Sequence, residues 1–121
     1  MIQLNYRDAR PIYLQIVENY KLQIQNGILE NGEKLPSVRE LASQLAINPN
    51  TLARADRELE LGGWIATVPG KGCFVCGIPG EEMQAQQALL AEFDRVSASL
   101  LSAGFTAEAL IARLQGGNDH A

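Results

Sequence analysis

Residues 36–54 read Pro36-Ser37-Val38-Arg39-Glu40-Leu41-Ala42, then Ser43-Gln44-Leu45-Ala46-Ile47, then Asn48-Pro49-Asn50-Thr51-Leu52-Ala53-Arg54. Ser37 and Glu40 have the spacing of a capping box, in which the hydroxyl accepts from the third helical N–H and the carboxylate returns to the cap N–H. That predicts a helix running to about Leu45 with Val38, Leu41 and Leu45 inward. Asn48 is placed to cap a second helix, and Pro49 suits its first position, where a missing N–H costs nothing. On this second helix Asn50, Arg54 and Arg57 are spaced by four and three, so they share one face, opposite the apolar set Leu52, Ala55 and Leu59. Ala46, Ile47 and Asn48 make the short connection. Two capped helices, a tight turn and a polar outer face on the second helix make a helix-turn-helix.

On either side, the pattern extends to a small domain. Upstream, Ile2, Leu4 and Tyr6 alternate with polar residues as in a short extended arm, and Pro11 opens a helix. From Ile12 to about Asn26 that helix carries Tyr13, Ile16, Val17, Tyr20 and Ile24 as an apolar stripe, with Gly27 as its stop. Ile28 to Pro36 holds Asn31-Gly32 and reads as a turn. Downstream, Gly62-Gly63 ends the second helix, Trp64–Val68 and Cys73–Val75 are rich in strand formers, and Pro69-Gly70-Lys71-Gly72 turns between them. A helix-turn-helix followed directly by a hairpin is a winged helix, here with Gly70, Lys71 and Gly72 at the wing tip. The expected core is Ile16, Val17, Leu41, Leu52, Leu59 and Trp64. The fold class is thus mostly α with a small β-hairpin, in residues 1–77.

Gly77 to Gly80, with Pro79, breaks the pattern, and residues 78–121 read differently. Glu81 to Ala103 carries Met83, Leu89 or Leu90, Phe93, Val96, Leu100 and Leu101 on one side, and Gly104 stops it. Thr106 caps a last helix with Leu110, Ile111 and Leu114 inward, ended by Gly116-Gly117. Two such helices cannot hide their stripes on each other alone, so they must cover the winged domain, a second copy of themselves or both, and a helical dimerisation tail using Leu89, Phe93, Val96 and Leu100 is expected.

The chain has 121 residues, 46% of them hydrophobic, and a net charge of −4. Net acidity opposes nucleic-acid binding, whose affinity is mostly electrostatic. The charge is unevenly spread, however: residues 1–77 hold eight Lys or Arg against eight acids, and residues 78–121 hold two against six. Lys34, Arg39, Arg54, Arg57 and Lys71 all fall in the elements expected to meet DNA. No apolar run approaches the roughly 20 residues of a membrane helix, and nothing at the start resembles an export signal. A soluble cytoplasmic protein without membrane contact is expected.

Other chemistries find little support. Cys73-x-x-Cys76 lacks a second ligand pair, and strand positions three apart point to opposite faces, so structural thiols are expected there. His120 lies near the terminus and is not read as a ligand or base. There is no phosphate-binding glycine loop after a strand and no nucleophile with a base, so no enzyme, metal or cofactor is expected. A polar stripe alone more often means a solvated helix face, and Lys71 between glycines also suits any tight turn. The capped helix, turn and wing around that stripe favour the DNA reading. The other reading left open is a winged helix used for protein contact, with the acidic tail as partner surface.

Pro11-Ile12-Tyr13-x-x-Ile16, Leu35-Pro36-Ser37-Val38-Arg39-Glu40-Leu41-Ala42, Asn48-Pro49-Asn50-Thr51, Arg57-Glu58-Leu59-Glu60 and Gly70-Lys71-Gly72-x-Phe74-Val75 together resemble the GntR family of bacterial transcription regulators. The short two-helix tail resembles the YtrA branch of that family, whose members dimerise through such helices. The resemblance implies a sequence-specific regulator, a repressor, bound to double-stranded operator DNA as a homodimer. It implies that Arg39 contacts phosphate or a base, that Asn50, Thr51 and Arg54 lie in the major groove, and that Lys71 and Gly72 approach the minor groove. With Lys34, Ser37 and Arg57 these complete the expected DNA-binding set. A small-molecule effector is left unidentified. Where the family commonly has Tyr and Thr, this chain has Asp56 and Cys73, and Asp56 is expected to add negative charge beside the reading face.

Overall fold

The computed structural model describes residues 2–116. Its elements are α1 (Ile12–Gln25), α2 (Val38–Leu45), α3 (Pro49–Leu61), β1 (Ile65–Val68), β2 (Gly72–Val75), α4 (Gly80–Ser102) and α5 (Ala107–Gly116). Gly117 and His120 lie outside the described residues. The chain forms two compact units, one up to Gly80 and one from Glu81 onward.

In the first unit, α1, α2 and α3 pack around one core, closed by the two-stranded antiparallel hairpin with Ile65 opposite Val75 and Thr67 opposite Cys73. Ile16, Leu52 and Leu59 are fully buried, and Val17, Tyr20, Ile24, Leu41, Trp64, Ile65 and Val75 complete the centre. Each helix buries one stripe of its 3.6-residue period, as in the apolar spacing of its sequence. Both α2 and α3 begin at the caps their sequences specify: Ser37 Oγ accepts from Glu40 N at 3.0 Å while Glu40 returns to Ser37 N, and Asn48 Oδ1 accepts from Asn50 N at 2.8 Å. This is a winged helix.

Three details go beyond what local spacing predicts. First, the arm is not a strand. It is fastened instead by Gln15, buried on α1, whose amide accepts from Asn5 N (2.8 Å) and donates to the carbonyls of Asn5 (2.9 Å) and Arg10 (3.1 Å), and Ile2 is tucked into the core. Second, the segment before α2 is more than a turn. Gly32 N donates to Val75 O (2.7 Å), Val75 N to Glu33 O (2.9 Å) and Leu35 N to Cys73 O (2.9 Å), so it lines the edge of β2. Third, the turn between α2 and α3 places Ala46 in the left-handed region at φ 57°, where an L-residue is strained. The unit also runs past Gly77, because Ile78 packs against the core and Pro79 lies over Gly63.

In the second unit, Gly104 (φ +105°) turns the chain between α4 and α5, and Thr106 Oγ1 caps α5 by accepting from Ala109 N at 3.1 Å. Neither helix has a buried residue. A trough between them is lined by Phe93, Val96, Leu100, Leu110 and Leu114.

Candidate nucleic-acid interface

The polar face of α3 is built by its core face. Leu52, Ala55 and Leu59 point inward, so Asn50 and Arg57 stand on the opposite side and are exposed. Thr51, next to Asn50, is half-buried. Arg39 projects from the first turn of α2 and is exposed. The Ser37 hydroxyl is engaged in its cap, and the bonds from the Ser37 backbone and side chain hold the Glu40 carboxyl below the usual carboxylate range.

The wing contributes through a tight packing. Gly72 has φ +124°, a conformation that favours glycine, and the end of the exposed Lys34 side chain lies against it, 2.9 Å from where a Cβ would stand. Lys34, Ser37, Lys71 and Gly72 share one cleft of about 290 Å³, which Asp56, Thr67 and Cys73 also line. The structure thus brings these four expected residues to one place, while Asn50 and Arg57 share the exposed side of α3. Among the described residues the only ion pairs join Arg10 to Asp8 and Glu18, so none of Lys34, Arg39, Arg54, Arg57 and Lys71 is in a direct ion pair, although Lys34 lies close enough to Glu40 to help lower its carboxyl.

One residue is not where spacing put it, and a second has a partner that spacing does not show. Asp56 is not beside the exposed face. It sits on the flank of α3 toward the hairpin, half-buried in the cleft, where burial and then the charge of Glu60 push its carboxyl up to about 6. Burial also pushes the Tyr20 hydroxyl up, with Asp56 and Cys73 adding to it. Arg54 is exposed yet not free: its Cζ lies 3.8 Å from the centre of the Tyr13 ring, and its Nη2 donates to Tyr13 Oη at 3.1 Å. Sequence reasoning had put Tyr13 only in the α1 packing stripe. Its partner is 41 positions away, and no local pattern reports such a pair.

Cys73 Sγ lies 3.3 Å from Thr67 Oγ1 across the hairpin, Cys76 is exposed, and both are free thiols. Among the described residues no group of three or more His, Cys, Asp or Glu is placed to hold a metal, and no helix is long and apolar enough to cross a membrane.

A winged helix with this constellation of motifs defines a class, and comparison with known proteins names it: residues 12–75 match the model for bacterial regulatory proteins of the gntR family. The chain belongs to that family. It is 47% identical over 75 residues to the HTH-type transcriptional repressor YtrA of Bacillus subtilis (strain 168), a match covering 62% of this chain and 58% of that one. It therefore spans little more than half the length of that curated relative. A solved GntR family transcriptional regulator from Listeria monocytogenes is similar with a TM-score of 0.61 and 37% identity, over 89% of this chain and 96% of that one. The DNA-binding domain of AraR, solved in complex with operator ORE1, is similar with a TM-score of 0.54 and 28% identity, over 63% of this chain and 93% of that one.

Proposed function

We propose that the chain is a cytoplasmic transcription regulator, a repressor, that binds double-stranded operator DNA as a homodimer. The observation that carries this reading is the set of five cations, Arg39 on α2, Arg54 and Arg57 on α3, Lys71 on the wing and Lys34 just before α2, that form no ion pair among the described residues of a GntR-family winged helix. The operator complex of AraR, a protein of similar fold, supports it. In this reading the unit up to Gly80 is the DNA-binding domain and the chain from Glu81 onward the dimerisation tail. Asn50, Thr51, Arg54 and Arg57 of α3 approach the major groove, Arg39, Lys34 and Ser37 flank it, and Lys71 and Gly72 at the wing tip approach the minor groove. Leu89, Phe93, Val96 and Leu100 join two copies, which then span half-sites of a palindrome about one helical turn, ~34 Å, apart. Repression is steric, and an effector acts by changing the angle between the two wings.

Selection of duplexes from a random pool, followed by anisotropy titration across salt, tests this. Enrichment of a palindrome, with the logarithm of the affinity falling linearly in log salt, is the expected result. A chain that retains no duplex even at low salt overturns the reading in favour of a winged helix used for protein contact.

A further inference from the structure

The contact between Tyr13 and Arg54 joins the start of α1 to the second turn of α3. Around α3, Asn50 and Arg57 straddle the line opposite Leu52, Ala55 and Leu59. Arg54 is turned off that line at about 100° per residue. The guanidinium sits over the Tyr13 ring, its Cζ 3.8 Å from the ring centre, with one nitrogen bonded to the ring's hydroxyl, and Arg54 as a whole is exposed. Tyr13 itself is half-buried and packed against the core, so it is a fixed surface.

A planar guanidinium immobilised this way has its rotamer chosen before any ligand arrives, which removes an ordering cost from binding. It also has its position biased: held against α1, it is drawn away from the side of α3 that carries Asn50. When a helix lies in the major groove, what faces its flank is the sugar-phosphate strand, and a forked donor matches a phosphate.

We propose that Tyr13 is a positioning residue for DNA binding, holding Arg54 as a preset contact to a backbone phosphate, so that the pair fixes the docking angle of α3 and leaves sequence reading to other α3 residues. This rests on the DNA-binding reading above.

The test compares the full chain with Arg54→Ala, Arg54→Lys, Tyr13→Phe, Tyr13→Leu and the Tyr13→Leu/Arg54→Ala double variant. Each is titrated against the duplex that the unaltered chain selects and against a scrambled duplex, at several salt concentrations, with a thermal melt to confirm folding. Arg54→Ala should weaken binding to both duplexes by a similar factor and reduce the salt slope by about one. Tyr13→Leu should reproduce most of that loss, and the double variant should bind no more weakly than Arg54→Ala. Tyr13→Phe, which keeps the stacking ring, should recover most of the affinity. Arg54→Lys keeps the charge at an exposed site and needs no refolded core, yet should bind both duplexes several-fold more weakly, because the stack holds a planar group.

Loss on the selected duplex alone would make Arg54 a base reader and overturn the proposal. So would multiplicative effects in the double variant, or an Arg54→Lys variant that binds like the parent. An unaltered chain that binds no duplex removes the DNA-binding reading and this one with it, whereas the preceding results remove this one only.

Discussion

α1 and α4 carry the same kind of sequence and end in opposite conditions. In α1 the stripe Ile16, Val17, Tyr20 and Ile24 is at most 5% exposed, whereas in α4 Phe93 is 48% exposed and Leu89 67%. Both stripes follow the helical period, so periodicity reports an amphipathic helix without reporting its partner. In the winged unit three helices and a hairpin converge, and each closes the others' stripes. In the second unit two helices meet along one seam, which leaves Leu90, Leu101, Phe105, Ile111 and Leu114 about half exposed or more as well. On the proposed function, this apolar surface is the face that joins two copies.

The sharpest way to break that contrast is Phe93→Asp. On a face that associates, an unpaired carboxylate is buried at a cost of several kcal/mol. Sedimentation should show a monomer, and the fluorescence of Trp64, which sits in the winged core, should be unchanged. Persistent dimers would move the association surface elsewhere, and loss of the Trp64 signal would show that the second unit supports the first.

Leu59→Ala probes the other side of the comparison. Leu59 is fully buried, and its truncation should destabilise the winged unit by about 2–5 kcal/mol through lost transfer energy and a residual cavity. Self-association through α4 should survive in sedimentation at low temperature. Joint loss of association and folding would mean that the two units are not independent.

What the sequence made legible was whatever a short window encodes. The capping box at Ser37 and Glu40, the Asn48 cap, the glycine stop after α1 and the hairpin turn are local chemistry, and each stands where the spacing puts it. What it hid depends on distant partners. Residues 32–35 pair with β2 through three backbone bonds, and nothing in their side chains announces this. Arg54 shares a helical face with Asn50 by arithmetic, but the Tyr13 ring takes its guanidinium to the flank. Asp56 follows the same period, yet which neighbour its flank meets is decided by how the hairpin folds back.

Asp56 gives the winged unit a pH-dependent contribution to its stability. Its carboxyl is raised from 3.8 to about 6, first by burial and then by Glu60, with Lys34 and Lys71 lining the same cleft. The folded state therefore binds more protons than the unfolded chain between about pH 4 and 6, so this group's contribution to stability falls as pH rises through that window and is level above it. Allowing for a site still partly open to solvent, the effect is about 1–2 kcal/mol. Asp56→Asn should stabilise the winged unit by that amount at pH 7 and change little near pH 4, as read from denaturant midpoints. An equal change at both pH values would show that packing, not charge, governs the site.

The smallest expected effect lies in the turn that sets α3 against α2. Ala46 holds φ 57° and ψ 45°, and its N–H donates to Ala42 and Ser43 carbonyls, closing α2 in the manner of a C-terminal glycine. An L-residue in that region costs about 1–2 kcal/mol, which glycine does not incur. Glycine also gives the unfolded chain more freedom, which offsets roughly 0.4–1 kcal/mol. Ala46→Gly should therefore stabilise the winged unit by about 0.5–1 kcal/mol, seen as a higher melting temperature, with sedimentation unchanged because the residue is remote in sequence from α4. A lower melting temperature would mean that the Ala46 methyl group makes contacts outweighing its backbone strain. It would also place the stiffness of this turn in packing, as in the rest of the unit, and not in backbone conformation.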